Sequence, residues 1–80
     1  MDEAAIRMRI RTMIETGALP CDEPEKTWAG KGSGTHCAAC GEPISRTEVE
    51  FEVEVAGTTL RLHRLCHQLW LEECEPIAGR

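Results

Sequence analysis

The chain opens with a helical pattern of apolar residues. After Asp2, which can cap the N-terminus of a helix, isoleucine and methionine recur at helical spacing until Gly17, and Pro20 follows as a stop. The residues of this apolar stripe are Ile6, Ile10, Met13 and Ile14. The pattern predicts an N-terminal amphipathic helix within residues 1–19 that uses the stripe for packing.

A polar segment follows the helix, with the sequence "CDEPEKTWAGKGSGT" at its centre. Its content of Gly, Pro and charged residues is typical of a flexible surface loop, which we predict over residues 20–35. The word "AGKGSGT" is superficially like a phosphate-binding loop, but Gly32 follows Lys31 where that motif requires Ser or Thr. Trp28 is expected to pack on the nearest apolar surface, with a partner contact as the less favoured alternative.

Strict alternation of glutamate and apolar residues then begins, in the sequence "EVEFEVEV" over residues 48–55. Side chains of a strand alternate between its two faces, so this pattern predicts a strand with one buried face and one solvated acidic face. The apolar face comprises Val49, Phe51, Val53 and Val55. The acidic face comprises Glu48, Glu50, Glu52 and Glu54.

A second apolar pattern, "TTLRLH", follows a turn at Ala56 and Gly57 and predicts a β-hairpin. A two-residue loop would pair apolar residues with apolar residues and glutamate with arginine, whereas a slip of one residue would not. The predicted pairs are Val53 with Leu60, Phe51 with Leu62, and Glu52 with Arg61. Because Ala-Gly is not the favoured Asn-Gly turn, a longer loop with an even number of residues stays open.

A closing helix is predicted from "RLCHQLWLEEC", residues 64–74, with Pro76 as its stop. The order of elements is therefore helix, loop, paired cysteines, hairpin and helix, which predicts a single α+β domain. A chain of 80 residues buries only a small core, so a metal site would add stability.

Four residues have the spacing of a metal site, in the form CxxC followed later by HxxC. They are Cys37, Cys40, His63 and Cys66. Two cysteines three positions apart on a tight turn can reach one tetrahedral ion, and the intervening hairpin can bring the second pair to them. Such a closed set of four ligands predicts one structural Zn²⁺. His67 lies beside Cys66 and is kept as an alternative fourth ligand.

The same CxxC has other interpretations, which the surrounding residues disfavour. A thioredoxin-type redox pair would continue as a helix, but Gly41, Glu42 and Pro43 oppose one. A haem attachment would require His where Gly41 stands, and a zinc deaminase would require an HxE motif that the chain lacks. Cys21 and Cys74 have no partners at ligand spacing, and we expect them to be free thiols.

The stretch "CAACGEPI…LHRLCHQLW" resembles the first zinc-binding half of a LIM domain, and more broadly a treble-clef zinc finger. This resemblance implies a zinc-bound knuckle, hairpin and helix over residues 37–75. LIM domains continue into a second zinc module, whereas only Cys74 follows here. The partner surface of a complete LIM domain is therefore not implied.

Charge and composition narrow the function without identifying it. The net charge of −5 opposes contact with phosphate, and Phe51, Trp28 and Trp70 are the only aromatic residues apart from histidine. We expect a small cytoplasmic zinc-binding protein that serves as a protein-interaction or adaptor module and is not an enzyme. The alternatives are a DNA-binding regulator that uses its Arg-bearing N-terminal helix or Arg61 and Arg64 beside the zinc, and a thiol redox or zinc-responsive switch.

Overall fold

The computed structural model describes residues 2–78 and shows a small α+β protein of two helices and a three-stranded antiparallel sheet. Met1, which the predicted segment 1–19 includes, lies outside the described residues. The helices and strands, in chain order, are α1 (Glu3–Thr16), β1 (Lys26–Lys31), β2 (Val49–Val55), β3 (Thr58–His63) and α2 (Arg64–Ala78).

Helix α1 begins and ends at the residues that the sequence predicts. The Asp2 side chain accepts a hydrogen bond from the Ala5 N–H at 2.8 Å, which satisfies one of the free donors at the helix N-terminus. Gly17 has a φ of 85°, and its N–H donates to the Ile14 carbonyl at the C-terminus. The helix buries Ile6 and Ile10, so the predicted apolar stripe is confirmed as its packing face.

The hairpin of β2 and β3 has the predicted register. Phe51 pairs with Leu62 and Glu52 with Arg61, and the loop between the strands is the two-residue turn of Ala56 and Gly57. Both turn residues have positive φ, 50° for Ala56 and 79° for Gly57. This conformation matches the twist of the flanking strands and explains why so short a loop suffices.

Strand β1 lies within the segment predicted to be a loop, and that prediction is wrong over Lys26–Lys31. The strand pairs along the whole of β2, with Lys26 opposite Glu54 and Trp28 opposite Glu52. Its sequence gave no alternation to detect, because all six residues are exposed at the edge of the sheet. Trp28 is 45% exposed on the glutamate face of the sheet and is not packed into the core.

The acidic face of β2 is less solvated than predicted. Glu50 is only 9% exposed, because Ser33, just after β1, donates to its carboxylate from both its N–H and its hydroxyl. Arg61 lies 3.5 Å from Glu50 and 3.0 Å from Glu52, which offsets part of their negative charge. On the other face Val49 is 40% exposed, so the alternation fails at the start of the strand.

Helix α2 continues beyond the predicted stop and contains Pro76 in its last turn. Proline lacks an N–H, so it removes one hydrogen bond of the helix there, and only two further residues follow to Ala78. The helix packs on the apolar face of the sheet, and α1 packs against α2. Leu62, Leu69 and Val53 are buried between these layers.

Two cysteines predicted to be free thiols form a disulfide. Cys21 follows α1, Cys74 lies near the end of α2, and their Cα atoms are 5.4 Å apart. The prediction failed because 53 positions separate the two residues, and only the packing of α1 against α2 brings them together.

Within residues 2–78 neither helix has the length and apolar character needed to cross a membrane.

Candidate metal centre

A short hairpin of residues 35–44 carries the first two cysteines. The Ile44 N–H donates to the Thr35 carbonyl, and the Cys37 N–H donates to the Glu42 carbonyl at 2.8 Å. The chain reverses at Gly41, which has a φ of 80° and whose N–H donates to the Cys37 carbonyl. Glycine adopts this left-handed conformation without steric cost, which explains its position directly after the second cysteine.

Hydrogen bonds donated by the hairpin and received by it fix it to the rest of the fold. The Ala38 N–H donates to the Arg61 carbonyl of β3 at 2.8 Å. The Arg9 side chain of α1 donates to the Ala39 carbonyl at 3.0 Å. These contacts place the two thiols beside the end of β3. Sequence reasoning missed Arg9, because nothing near it in the chain indicates a contact 30 residues away.

The second pair of donors lies at the junction of β3 and α2. His63 is the last residue of β3, and Cys66 is in the first turn of α2. The junction turns the chain so that both side chains face the cysteine hairpin.

The structure brings all four predicted ligands together. Among the described residues, one ligand atom from each of the four lies within 4.8 Å of all the others. The three thiols are buried, with exposures of 3% for Cys37, 8% for Cys40 and 1% for Cys66. All three are free cysteines. The centre is therefore a closed Cys₃His cluster that can hold a metal ion.

His63 has the orientation of a metal-binding imidazole. Its Nδ1 lies 3.3 Å from the Cys40 sulfur, facing the cluster, and its Nε2 lies 3.2 Å from the Pro43 carbonyl oxygen. A carbonyl can only accept, so Nε2 carries the proton and donates to Pro43. This leaves Nδ1 as the donor atom for a metal, with the ring held in place by its second nitrogen. Glu48 lies 3.6 Å from the same Nε2.

The thiols of the cluster differ in acidity because they contact one another. The pKa of Cys37 is lowered, mainly by the hydrogen bond from Cys66, with further bonds from backbone N–H groups such as that of Ala39. The same hydrogen bond to Cys37 raises the pKa of Cys66. Burial raises the pKa of Cys40. Burial, the largest effect, lowers the pKa of His63, but contacts with Cys37, the Pro43 backbone and Glu48 together outweigh it, so the pKa is raised.

Neither of the other histidines is part of the cluster. His67 stacks on Phe51, with ring centroids 4.5 Å apart and ring planes nearly parallel. Burial of His67 lowers its pKa. His36 is exposed and contacts the Gly41 carbonyl through Nδ1 at 2.9 Å. The geometry therefore brings Cys66, and not His67, to the other three predicted ligands.

The donor set fits a zinc ion. A tetrahedral ion bound at about 2.3 Å from each sulfur places neighbouring sulfurs roughly 3.8 Å apart, which lies inside the 4.8 Å span of the cluster. Three thiolates and one imidazole are ligands typical of structural zinc sites. The metal would be held by Cys37, Cys40, His63 and Cys66, and it would cross-link the cysteine hairpin to the junction of β3 and α2.

Comparison of the chain with protein families, with curated proteins and with solved structures finds no match. The class of this protein is therefore defined by its own fold and site, as a small α+β protein with a Cys₃His cluster.

Proposed function

We propose that this protein is a zinc-binding module in which one Zn²⁺ has a structural role. The single observation that carries the proposal is the closed cluster of three buried thiols and one oriented imidazole. Four protein ligands complete a tetrahedral ion and leave no position for a reacting water, so we propose no catalytic role for the metal.

We further propose that the finger is of the treble-clef class, similar to the first zinc-binding half of a LIM domain. The support is the order in which the chain supplies the ligands. Two come from a tight cysteine hairpin, and the other two come from the end of β3 and the start of α2.

The proposed role of the scaffold is to bind another protein. Among the described residues, five large apolar side chains are at least 40% exposed and are available for contact with a partner. They are Met8, Trp28, Val49, Leu65 and Leu71. The glutamate stripe of β2 is not the favoured contact surface, because Glu50 is buried and Glu52 is paired with Arg61.

The DNA-binding alternative receives no support from the arginines of α1. Arg7 donates to Glu72 and Glu73, and Arg11 donates to Glu73. Arg9 is engaged with the cysteine hairpin. These side chains join α1 to the rest of the molecule, and the carboxylate partners of Arg7 and Arg11 offset positive charge that a phosphate would require.

Native mass spectrometry tests the zinc proposal. We expect one zinc per chain in the wild type, loss or weakening of zinc binding in Cys66→Ser, and full retention in the matched neighbour variant His67→Ala. Chelation of the zinc should unfold the finger, since binding is expected to contribute on the order of 10 kcal/mol to folding.

Two outcomes would contradict the proposal. Loss of zinc from His67→Ala with retention in Cys66→Ser would show that His67, and not Cys66, is the fourth ligand. A metal-free chain with a disulfide between Cys37 and Cys40 would instead identify the thiol pair as a redox site and support the alternative of a redox switch.

A further inference from the structure

A groove of about 510 Å³ lies between the segment after α1 and helix α2, and it shares no lining residue with the cleft beside the metal centre. Its apolar lining includes Val53, Trp70 and Leu71. Pro20 and Pro24 flank it at the two ends of the segment, and the Cys21–Cys74 disulfide forms part of its wall. Leu71 is 51% exposed, so an apolar surface in the groove remains open to solvent.

The charges around this groove are all of one sign. Four carboxylates line it, and no Lys or Arg does. They belong to Asp22, Glu23, Glu72 and Glu75. Arg7 neutralises Glu72, whereas no ion pair within the described part of the chain involves Asp22, Glu23 or Glu75. The cleft beside the metal centre differs, because Arg64 lines it together with Glu42 and Glu48.

The groove is formed before any ligand binds. The Trp70 indole N–H donates to the Pro20 carbonyl at 3.1 Å, and the disulfide joins the next residue, Cys21, to α2. His67 is fixed against Phe51 by stacking. A site with fixed walls loses little conformational entropy on binding, which favours affinity for a short segment.

We propose that this acidic groove binds a linear segment of a partner protein in which one aromatic or long aliphatic side chain is flanked by Lys or Arg. This proposal rests on the proposed role as a protein-binding module. The apolar residues of the groove would take the anchor side chain, and the carboxylates around it would pair with the flanking cations. The same acidic charge would exclude segments with acidic flanks.

The test begins with random heptapeptides displayed on phage and selected against the zinc-loaded wild-type protein. The enriched sequences are synthesised with a fluorescent label, and their affinities are measured by anisotropy. We expect enrichment of an aromatic or long aliphatic residue next to Lys or Arg, and affinity that falls as salt is added.

Two pairs of variants locate the binding site. Leu71→Arg introduces a cation into the groove, and its matched control Leu65→Arg changes an exposed leucine on the same helix outside the groove. The double variant Glu23→Lys with Glu75→Lys is compared with Glu15→Lys with Glu25→Lys, which alters the net charge equally outside the groove. We expect each groove variant to weaken binding by about tenfold or more and each control to change it far less.

Bound zinc and circular dichroism are measured for every variant, so a failure to fold is separated from a loss of binding. Equal loss of affinity in groove and control variants would overturn the groove as the site, while peptide binding would still support an interaction module. Failure to enrich any peptide would overturn the groove and the interaction role, but not the zinc site, which is measured separately. The protein could instead self-associate as its concentration rises, and Leu71→Arg could abolish this self-association. That result would overturn the proposal of a separate partner and identify a second copy of the chain as the occupant of the groove.

Discussion

At the scale of single residues, close approach of the backbone decides whether a position beside the cysteine hairpin can accept a side chain. Gly32 joins β1 to the cysteine hairpin, is buried, and donates from its N–H to the Glu48 carbonyl. A Cβ atom built at this position would lie 1.8 Å from the carbonyl oxygen of Ser45. The contact is with backbone and not with the end of a flexible side chain, so it cannot be relieved by a change of rotamer.

We therefore predict that Gly32→Ala destabilises the protein, by about 1–3 kcal/mol as in other cases of overpacking. Gly30→Ala is the matched control, because a Cβ at Gly30 in β1 meets nothing within 4 Å. Urea unfolding of the two variants beside the wild type, all with zinc bound, gives the comparison. Equal stability of both variants would show that the backbone at Gly32 shifts to accept a side chain.

At the scale of elements, the β2–β3 hairpin shows how well a local pattern can determine structure. Its apolar and charged pairs allow only one register, and the structure has that register. The turn is the weaker part, since Ala56 has a φ of 50°, a conformation that alanine rarely adopts and asparagine tolerates better. The hairpin therefore keeps its register despite its turn residue.

Replacement of Ala56 by asparagine is predicted to increase the stability of the protein. Ala56→Asn should stabilise the protein by roughly 0.5–1 kcal/mol, because Asn-Gly is the preferred pair for a two-residue turn with positive φ at both positions. Ala56→Val should destabilise it, since a β-branched residue is strained at positive φ. Thermal unfolding measures both, and a lower melting temperature for the asparagine variant would contradict the assigned turn geometry.

The contact between α1 and α2 combines apolar packing with a cluster of ion pairs. Hydrogen bonds from Arg7 and then Gln68 lower the pKa of Glu72. The pKa of Glu73 is lowered mainly by the hydrogen bond from Arg11. A carboxylate whose pKa is lower in the folded state stabilises the fold above its unfolded pKa, near 4.5, and this contribution disappears as the pH falls through the folded pKa.

The direction of this pH dependence can be measured as the difference in melting temperature between a variant and the wild type. We predict that Glu72→Gln with Glu73→Gln has a lower melting temperature than the wild type well above pH 4.5, and that the gap narrows as the pH falls below it. Acid also releases metal from thiolate ligands, but that affects both proteins, so the gap isolates the ion pairs. Glu15→Gln with Glu25→Gln is the control, and a pH-independent gap would contradict the linkage.

At the scale of the whole molecule, one disulfide cross-link supports a small core, and a metal bound to the cluster would add a second. The Cys₃His cluster would join the cysteine hairpin to the start of α2, and the Cys21–Cys74 disulfide joins the segment after α1 to the end of the same helix. Helix α2 takes part in both. This arrangement compensates for the limited apolar area that a chain of 80 residues can bury.

Removal of the disulfide should lower stability without loss of zinc. For a loop closed across 53 positions, the chain-entropy estimate is about 4 kcal/mol. We predict this order of loss for Cys21→Ser with Cys74→Ser in urea unfolding with zinc bound, and unchanged zinc stoichiometry by native mass spectrometry. Loss of zinc from the double variant would show instead that the disulfide also supports the metal centre.

Local chemistry in the sequence determined α1 with both of its caps, the hairpin register and three of the four clustered residues, while the tertiary structure selected Cys66 over His67 as the fourth. Each follows from side chains that are close in the chain or alternate with a fixed period. Tertiary structure decided β1, whose exposed residues carry no periodic pattern and whose hydrogen bonds come from β2. It also decided the burial of Glu50, the pairing of Cys21 with Cys74 and the contact of Arg9 with the cysteine hairpin. In each of these cases the contacting residue is distant in the chain, so no local sequence pattern indicates the contact.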